Sequence, residues 1–166
     1  IISEPASQKL KEQDRTVEIK STIKGKDLLG KYGIAAFVNK QLLVLPSSFC
    51  EPNKGTGIVT SVPSDSPDDW MGLHDLQKDD HLAKEYGLDY NEIRELQPIP
   101  IIKSDDLGDL PAVKVCQVLG IKNQNEREKL EEAKKIVYKK GYYSGIMNDT
   151  SGQYSDMPVE RARELI

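Results

Sequence analysis

The feature that most limits how this chain can fold lies at 55–70, GTGIVTSVPSDSPDDW, where a glycine-bounded loop, an apolar run and an acidic helix start follow one another without a spacer. Gly55 and Gly57 can take backbone conformations closed to residues with a Cβ, and they permit close approach by a ligand. Residues 58–62 read as a short buried strand. Ser66-Pro67-Asp68-Asp69 then opens a helix, with Ser66 as N-cap, Pro67 at the first helical position and Asp69 at the third, where its carboxylate completes a capping box and meets the helix dipole. A chain that passes from strand to helix periodicity in so few residues is of the α/β class: one domain, strand-rich over about 16–63 and helix-rich over about 66–166.

The flanking segments extend that pattern. The first fifteen residues are polar, and 16–20 (Thr-Val-Glu-Ile-Lys) alternate as a half-buried strand does. Residues 23–32 hold a turn with a short helical piece, and the runs 34–38 and 41–45 form a hairpin turning at Asn39-Lys40. Strands in this order predict a small barrel or sandwich. Beyond Ser66 helices are expected at 67–77, at 79–86 with Gly87 as its stop, from Pro111 to about Gly120, and at 124–140. Residues 98–103 fit an edge strand, because Pro98 and Pro100 cannot donate to a ladder. Residues 142–147 fit a further strand, 148–156 a loop, and the chain from Pro158 a helix that its end interrupts.

Composition excludes several classes of function. A net charge of −4 and a pI near 5.3 argue against binding nucleic acid by bulk attraction to phosphate, and no DNA partner is expected. Any RNA contact must be local, as with the lysines 129, 134, 135, 139 and 140 of one helix, which also suit a solvated face. Cys50 and Cys116 lie far apart, so no disulfide framework is indicated and a cytoplasmic setting is the simplest. His74 and His81 lack metal-ligand spacing, and no metal is assigned. No apolar run reaches the ~18 residues of a membrane span.

The run GTG-Ile-Val-x-x-Val-Pro, with Asp69 six residues after Pro63, resembles the amino-acid-binding strand and loop of the editing (connective polypeptide) domain inserted into leucyl-tRNA synthetases. The form VPSDSPDD is most similar to the archaeal and eukaryotic cytosolic branch; the isoleucyl and valyl editing domains usually carry Pro-x-His there. Further segments follow the family's order: IKGKDLLG at 23–30, LVLP at 43–46, AKEYG at 83–87, QPIP at 97–100, NEREKL at 125–130 and YYSGIM at 142–147.

The resemblance implies a small β-barrel-like editing domain with peripheral helices. It also implies hydrolysis of the ester joining norvaline, isoleucine or methionine to the 3′ end of tRNA(Leu), with the rest of the synthetase as partner. Editing would need no cofactor, whereas the parent enzyme would use ATP and Mg to ligate leucine. In that scheme Asp69 anchors the substrate's α-ammonium group, Gly55, Thr56, Gly57 and Val59 line the pocket, and Lys134 matches a lysine near the editing site. Thr60, Ser64 and Ser66 are secondary candidates, and Asp65 and Asp68 suit turn and cap roles. The family's threonine-rich T-x-R-P-E-T peptide is absent from these residues, which suggests a fragment with part of the pocket missing. Two other readings stay open. One is a non-catalytic editing-like module that contacts tRNA or a partner. The other is a free-standing binding domain in which GTG is a tight loop and PSDSPDD a cap.

Overall fold

The structure is a computed structural model that describes residues 1–35 and 40–166. The chain gathers into two compact units, Ile1–Thr60 with Leu82–Asp89, and Ser61–His81 with Tyr90–Ile166.

The first unit opens with helix α1 (Glu4–Glu12), which the polar composition had hidden. The Ser3 hydroxyl caps it by accepting from Ala6 N–H at 3.2 Å, Pro5 sits in the first turn where no intrahelical donor is needed, and Lys9 and Lys11 face the negative end of the dipole. A 3₁₀ turn at Gly25–Leu28 matches the expected helical piece. Strands β1 (Tyr32–Ala35) and β2 (Lys40–Leu43) pair antiparallel with Tyr32 opposite Leu43 and Ala35 opposite Lys40. A hairpin is expected here with its turn at Asn39-Lys40; Lys40 instead opens β2, while Asn39 and the end of the first run lie outside the described residues. Helix α3 (His81–Tyr86) ends at Gly87, whose φ of 66° is the left-handed stop the sequence indicated.

Two strand expectations fail here. Residues 16–20 form no strand, and neither do 58–62, where Ile58 and Val59 are 49% and 47% exposed rather than buried. Alternation gives a segment a face, but a strand also needs a neighbouring backbone to bond, and the described residues provide no ladder for either run. The unit's buried residues among those described are Ala6, Ser7 and Ala83, so it contains little apolar core.

The second unit holds the core. Helix α2 (Pro67–Lys78) packs on α4 (Tyr90–Glu95), α5 (Pro111–Val118) and α6 (Arg127–Ser144). Met71, Val115, Cys116, Ile121, Leu130, Ala133 and Val137 meet in one buried cluster, which accounts for the apolar stripe read at Leu130, Ala133 and Val137. The Gln77 side-chain amide donates to the carbonyls of Ile93 and Leu96, and the Tyr90 hydroxyl donates to Gln77 O at 2.8 Å, fastening α4 to α2. Strands β3 (Ile102–Lys103) and β4 (Ile146–Met147) pair antiparallel, and α7 (Val159–Leu165) follows a 3₁₀ turn at Asp149–Tyr154. The edge strand expected over 98–103 shortens to two residues because its prolines bring no donors.

Helix α6 runs past Gly141, so Tyr142 and Tyr143 are helical and the strand expected at 142–147 shrinks to β4. Gly145 ends the helix at a crowded place: a Cβ there would stand 2.6 Å from Ile102 Cγ2 and collide with the Gly141 carbonyl. The two ladders are small and open among the described residues.

Leu130 is wholly buried and Val118 is 77% exposed. Leu130→Ala is therefore expected to cost about 2–5 kcal/mol in urea unfolding. Val118→Ala is expected to stay within about 0.5 kcal/mol.

Candidate functional site

Asp69 stands in the first turn of α2 and is only 7% exposed. Its Oδ2 accepts the backbone N–H of Val62 at 2.7 Å, and its Oδ1 accepts the Ser66 hydroxyl at 2.9 Å. Ser66 is the N-cap, as the sequence indicated, but its side chain makes no capping bond to the helix. The expected capping box is thus replaced by a different device, in which the hydroxyl donates to the carboxylate and the carboxylate holds the approaching loop. A carboxylate has about four acceptor positions, so two bonds fix its plane and leave capacity for a cation. Tyr138 of α6 completes the chain, its hydroxyl donating to Ser66 Oγ at 3.4 Å.

The neighbouring Asp68 points to other partners. Its Oδ1 meets Arg127 Nη1 and its Oδ2 meets Lys134 Nζ, each at 2.9 Å, and Lys134 also reaches Glu131 Oε1 at 2.5 Å. Burial works against the Lys134 charge, but the bonds to Glu131 and Asp68 outweigh it and hold its pKa above the ordinary lysine value. Lys134, expected at the substrate, is here an ion-pair partner of the residue beside Asp69. Sequence reading missed Arg127, Glu131 and Tyr138. Their signal was available, because with Lys134 they recur at spacings of four, three and four, one face of a helix.

Asp65, expected as a turn residue, is the group in this loop with a large shift. Burial pushes its carboxyl up to about 6, against the opposing hydrogen bonds from the Ser64 hydroxyl and the Ile102 backbone. Its Oδ1 is buried with no hydrogen-bond partner. Ser64 is itself fully buried, its carbonyl accepting from Ala112 N–H at the start of α5 at 2.9 Å.

The glycine loop belongs to the first unit. Gly55 and Gly57 have φ of 54° and 78°, which explains the glycines. The close approach at Gly57 is made by the protein itself, since a Cβ there would lie 2.7 Å from Ser3 Cβ, and Ser3 N–H donates to Thr56 O at 2.8 Å. Thr56 Oγ1 donates to Ile58 O at 3.0 Å, and Val59 lies exposed beyond it. The structure thus gathers Gly55, Thr56, Gly57 and Val59 in one loop of the first unit, and Asp69 and Lys134 at the α2–α6 contact of the second.

No family model matches the chain. It is 39% identical over its whole length to the leucine–tRNA ligase of Pyrococcus abyssi, of which it spans 17%. It is 43% identical to the cytoplasmic leucine–tRNA ligase of Pongo abelii over 132 residues, 79% of this chain and 11% of that protein. The crystal structure of GlLeuRS-CP1 superposes with a TM-score of 0.83 at 36% identity, covering 99% of this chain and 63% of that one. The editing domain of the P. knowlesi cytosolic leucyl-tRNA synthetase gives 0.82 at 26% identity, covering 99% of this chain and 58% of that one. The mixed helix and sheet architecture, with its small open ladders, matches these editing domains.

The raised Asp65 carboxyl gives a pH prediction. The folded state holds this proton up to about pH 6, whereas the unfolded chain releases it near 3.8, so between those values the native state binds more protons. The contribution of Asp65 to stability therefore falls as pH rises from about 4 to about 6 and stays flat above. Denaturation midpoints of wild type and Asp65→Asn, compared at pH 4.5 and 7.5, are expected to differ in that sense, with wild type losing ground to the variant at the higher pH.

Proposed function

Because the chain corresponds to the editing-domain region of leucyl-tRNA synthetases of the archaeal and eukaryotic cytosolic type, we propose that it performs post-transfer editing, hydrolysing the ester that joins a wrong amino acid to the 3′ end of tRNA(Leu). Norvaline, isoleucine and methionine are the substrates in view. A methylene more or less in an apolar pocket is worth only ~1–3 kcal/mol, so an enzyme selecting a small apolar amino acid gains fidelity from a second, hydrolytic site. The observation that carries the reading is the Asp69 carboxylate, set rigidly at a helix start by Val62 N–H and the Ser66 hydroxyl.

In the reaction a water oxygen bonds to the ester carbonyl carbon, the bond from that carbon to the ribose oxygen breaks, and the ribose oxygen takes a proton. Free amino acid and uncharged tRNA leave. What the protein must supply is position, and a fixed carboxylate that pairs with the α-ammonium group supplies it by a charge-assisted hydrogen bond. Gly55, Thr56, Gly57 and Val59 would line the adenosine and side-chain pocket. The role of Lys134 would be indirect, through its ion pair with Asp68.

The remainder of the synthetase is the natural partner, in the cytoplasm. That parent would take up ATP and Mg for ligation of leucine, and no residue of this chain is assigned to either. A second reading, a non-catalytic module that contacts tRNA, draws on the burial of Asp69, which is only 7% exposed.

Deacylation of isoleucyl- or norvalyl-tRNA(Leu) separates the readings, using this chain, a longer version carrying an upstream threonine-rich segment, and Asp69→Ala in each. Activity is expected to be weak in the first and strong in the second. Asp69→Ala should cost about ten- to a hundredfold in kcat/KM, the worth of a hydrogen bond to a charged group. Normal folding with no hydrolysis in either version would leave the non-catalytic module.

A further inference from the structure

We propose that Ser66 and Tyr138 are positioning residues for the Asp69 carboxylate, a hydroxyl relay running from α6 to the α2 start that sets which acceptor positions of Asp69 face an incoming ammonium group. The inference rests on the editing reading above and deepens it.

A serine hydroxyl has a single proton to give. The carboxylate can only accept, so Ser66 gives its own proton to Asp69 Oδ1 at 2.9 Å, and the Tyr138 hydroxyl, on a half-exposed side chain, makes a long, weak donation to Ser66 Oγ at 3.4 Å. The direction of the relay is therefore fixed, with both donors pointing toward the carboxylate. Ser66 is buried at 8% exposure, so water competes poorly for this bond.

The residue's ordinary task, capping α2, is not what its side chain does, because no side-chain bond to the helix N–H groups is made. The other oxygen of Asp69 is fixed independently by Val62 N–H at 2.7 Å. Two bonds from different directions set the carboxylate plane; a single bond would let it rotate about χ2. Arg127, Glu131, Lys134 and Tyr138 lie along one face of α6, and Asp68 ties that face to α2 through Arg127 and Lys134. The ion pairs thus hold the helix that presents Tyr138.

The test compares binding of a non-hydrolysable aminoacyl-adenosine analogue carrying the α-amino group with binding of the same compound lacking it. Ser66→Ala, Ser66→Thr, Tyr138→Phe and Asp69→Ala are made in this chain and in the longer version. Ser66→Ala is expected to weaken the amino-bearing analogue about tenfold and Tyr138→Phe about threefold, with the desamino compound unaffected and Ser66→Thr close to wild type. A purely structural role would weaken both compounds alike and would not be rescued by threonine. If Asp69→Ala discriminates the two compounds while Ser66→Ala and Tyr138→Phe bind as wild type, the relay is wrong and the editing reading stands. If Asp69→Ala itself leaves the two compounds equally bound, the editing reading fails and the relay with it.

Discussion

Two adjacent aspartates at the start of α2 are pulled to opposite sides, and the arrangement around the candidate site follows from that division. Successive helical residues lie about a hundred degrees apart, so Asp68 and Asp69 cannot share one set of partners. Asp69 takes the loop side, accepting from Val62 N–H and the Ser66 hydroxyl. Asp68 takes the α6 side, meeting Arg127 and Lys134. Both carboxylates lie within the first turn, where unpaired N–H groups and the dipole favour negative charge. The pair therefore joins loop, α2 and α6 at one helix terminus.

The ion pairs on Asp68 differ in kind from most others in the chain. The pair between Lys20 and Glu18 lies in water with both side chains more than two-thirds exposed, and such pairs contribute little. Asp68 and Lys134 retain 14% and 20% side-chain exposure. Removing either partner would leave a charge in a poorly hydrated place and destabilise the fold, although the intact pair adds little over apolar packing of the same size.

Much of the second unit was legible in the sequence. Proline at the starts of α2 and α5, Gly120 beyond α5 and the spacing of Leu130, Ala133 and Val137 located these helices to within a few residues, because these are local signals, although α6 runs on past Gly141. The missed pieces needed non-local information. The strand reading of 58–62 relied on apolar side chains alone, and no neighbouring backbone among the described residues answers it. Helix α1 has few apolar residues and is set by its Ser3 cap and Pro5. Ser66 and Asp69 were correctly placed at a helix start, but the further contact of Ser66 with Tyr138, seventy-two residues along the chain, is non-local and left no local signal.

Gly145 offers a different kind of lesson. The end of α6 lies against Ile102 so closely that the α-hydrogen is all the space admits, with a Cβ falling 2.6 Å from the Ile102 Cγ2. Every missense change in a glycine codon adds a Cβ, so no single-nucleotide allele that replaces this residue is free of the collision. Position 145 should consequently behave in a saturation mutational scan as an all-or-nothing site, intolerant of alanine and tryptophan alike, and trimming Ile102 alone should not rescue it, because the Gly141 backbone carbonyl also stands in the way.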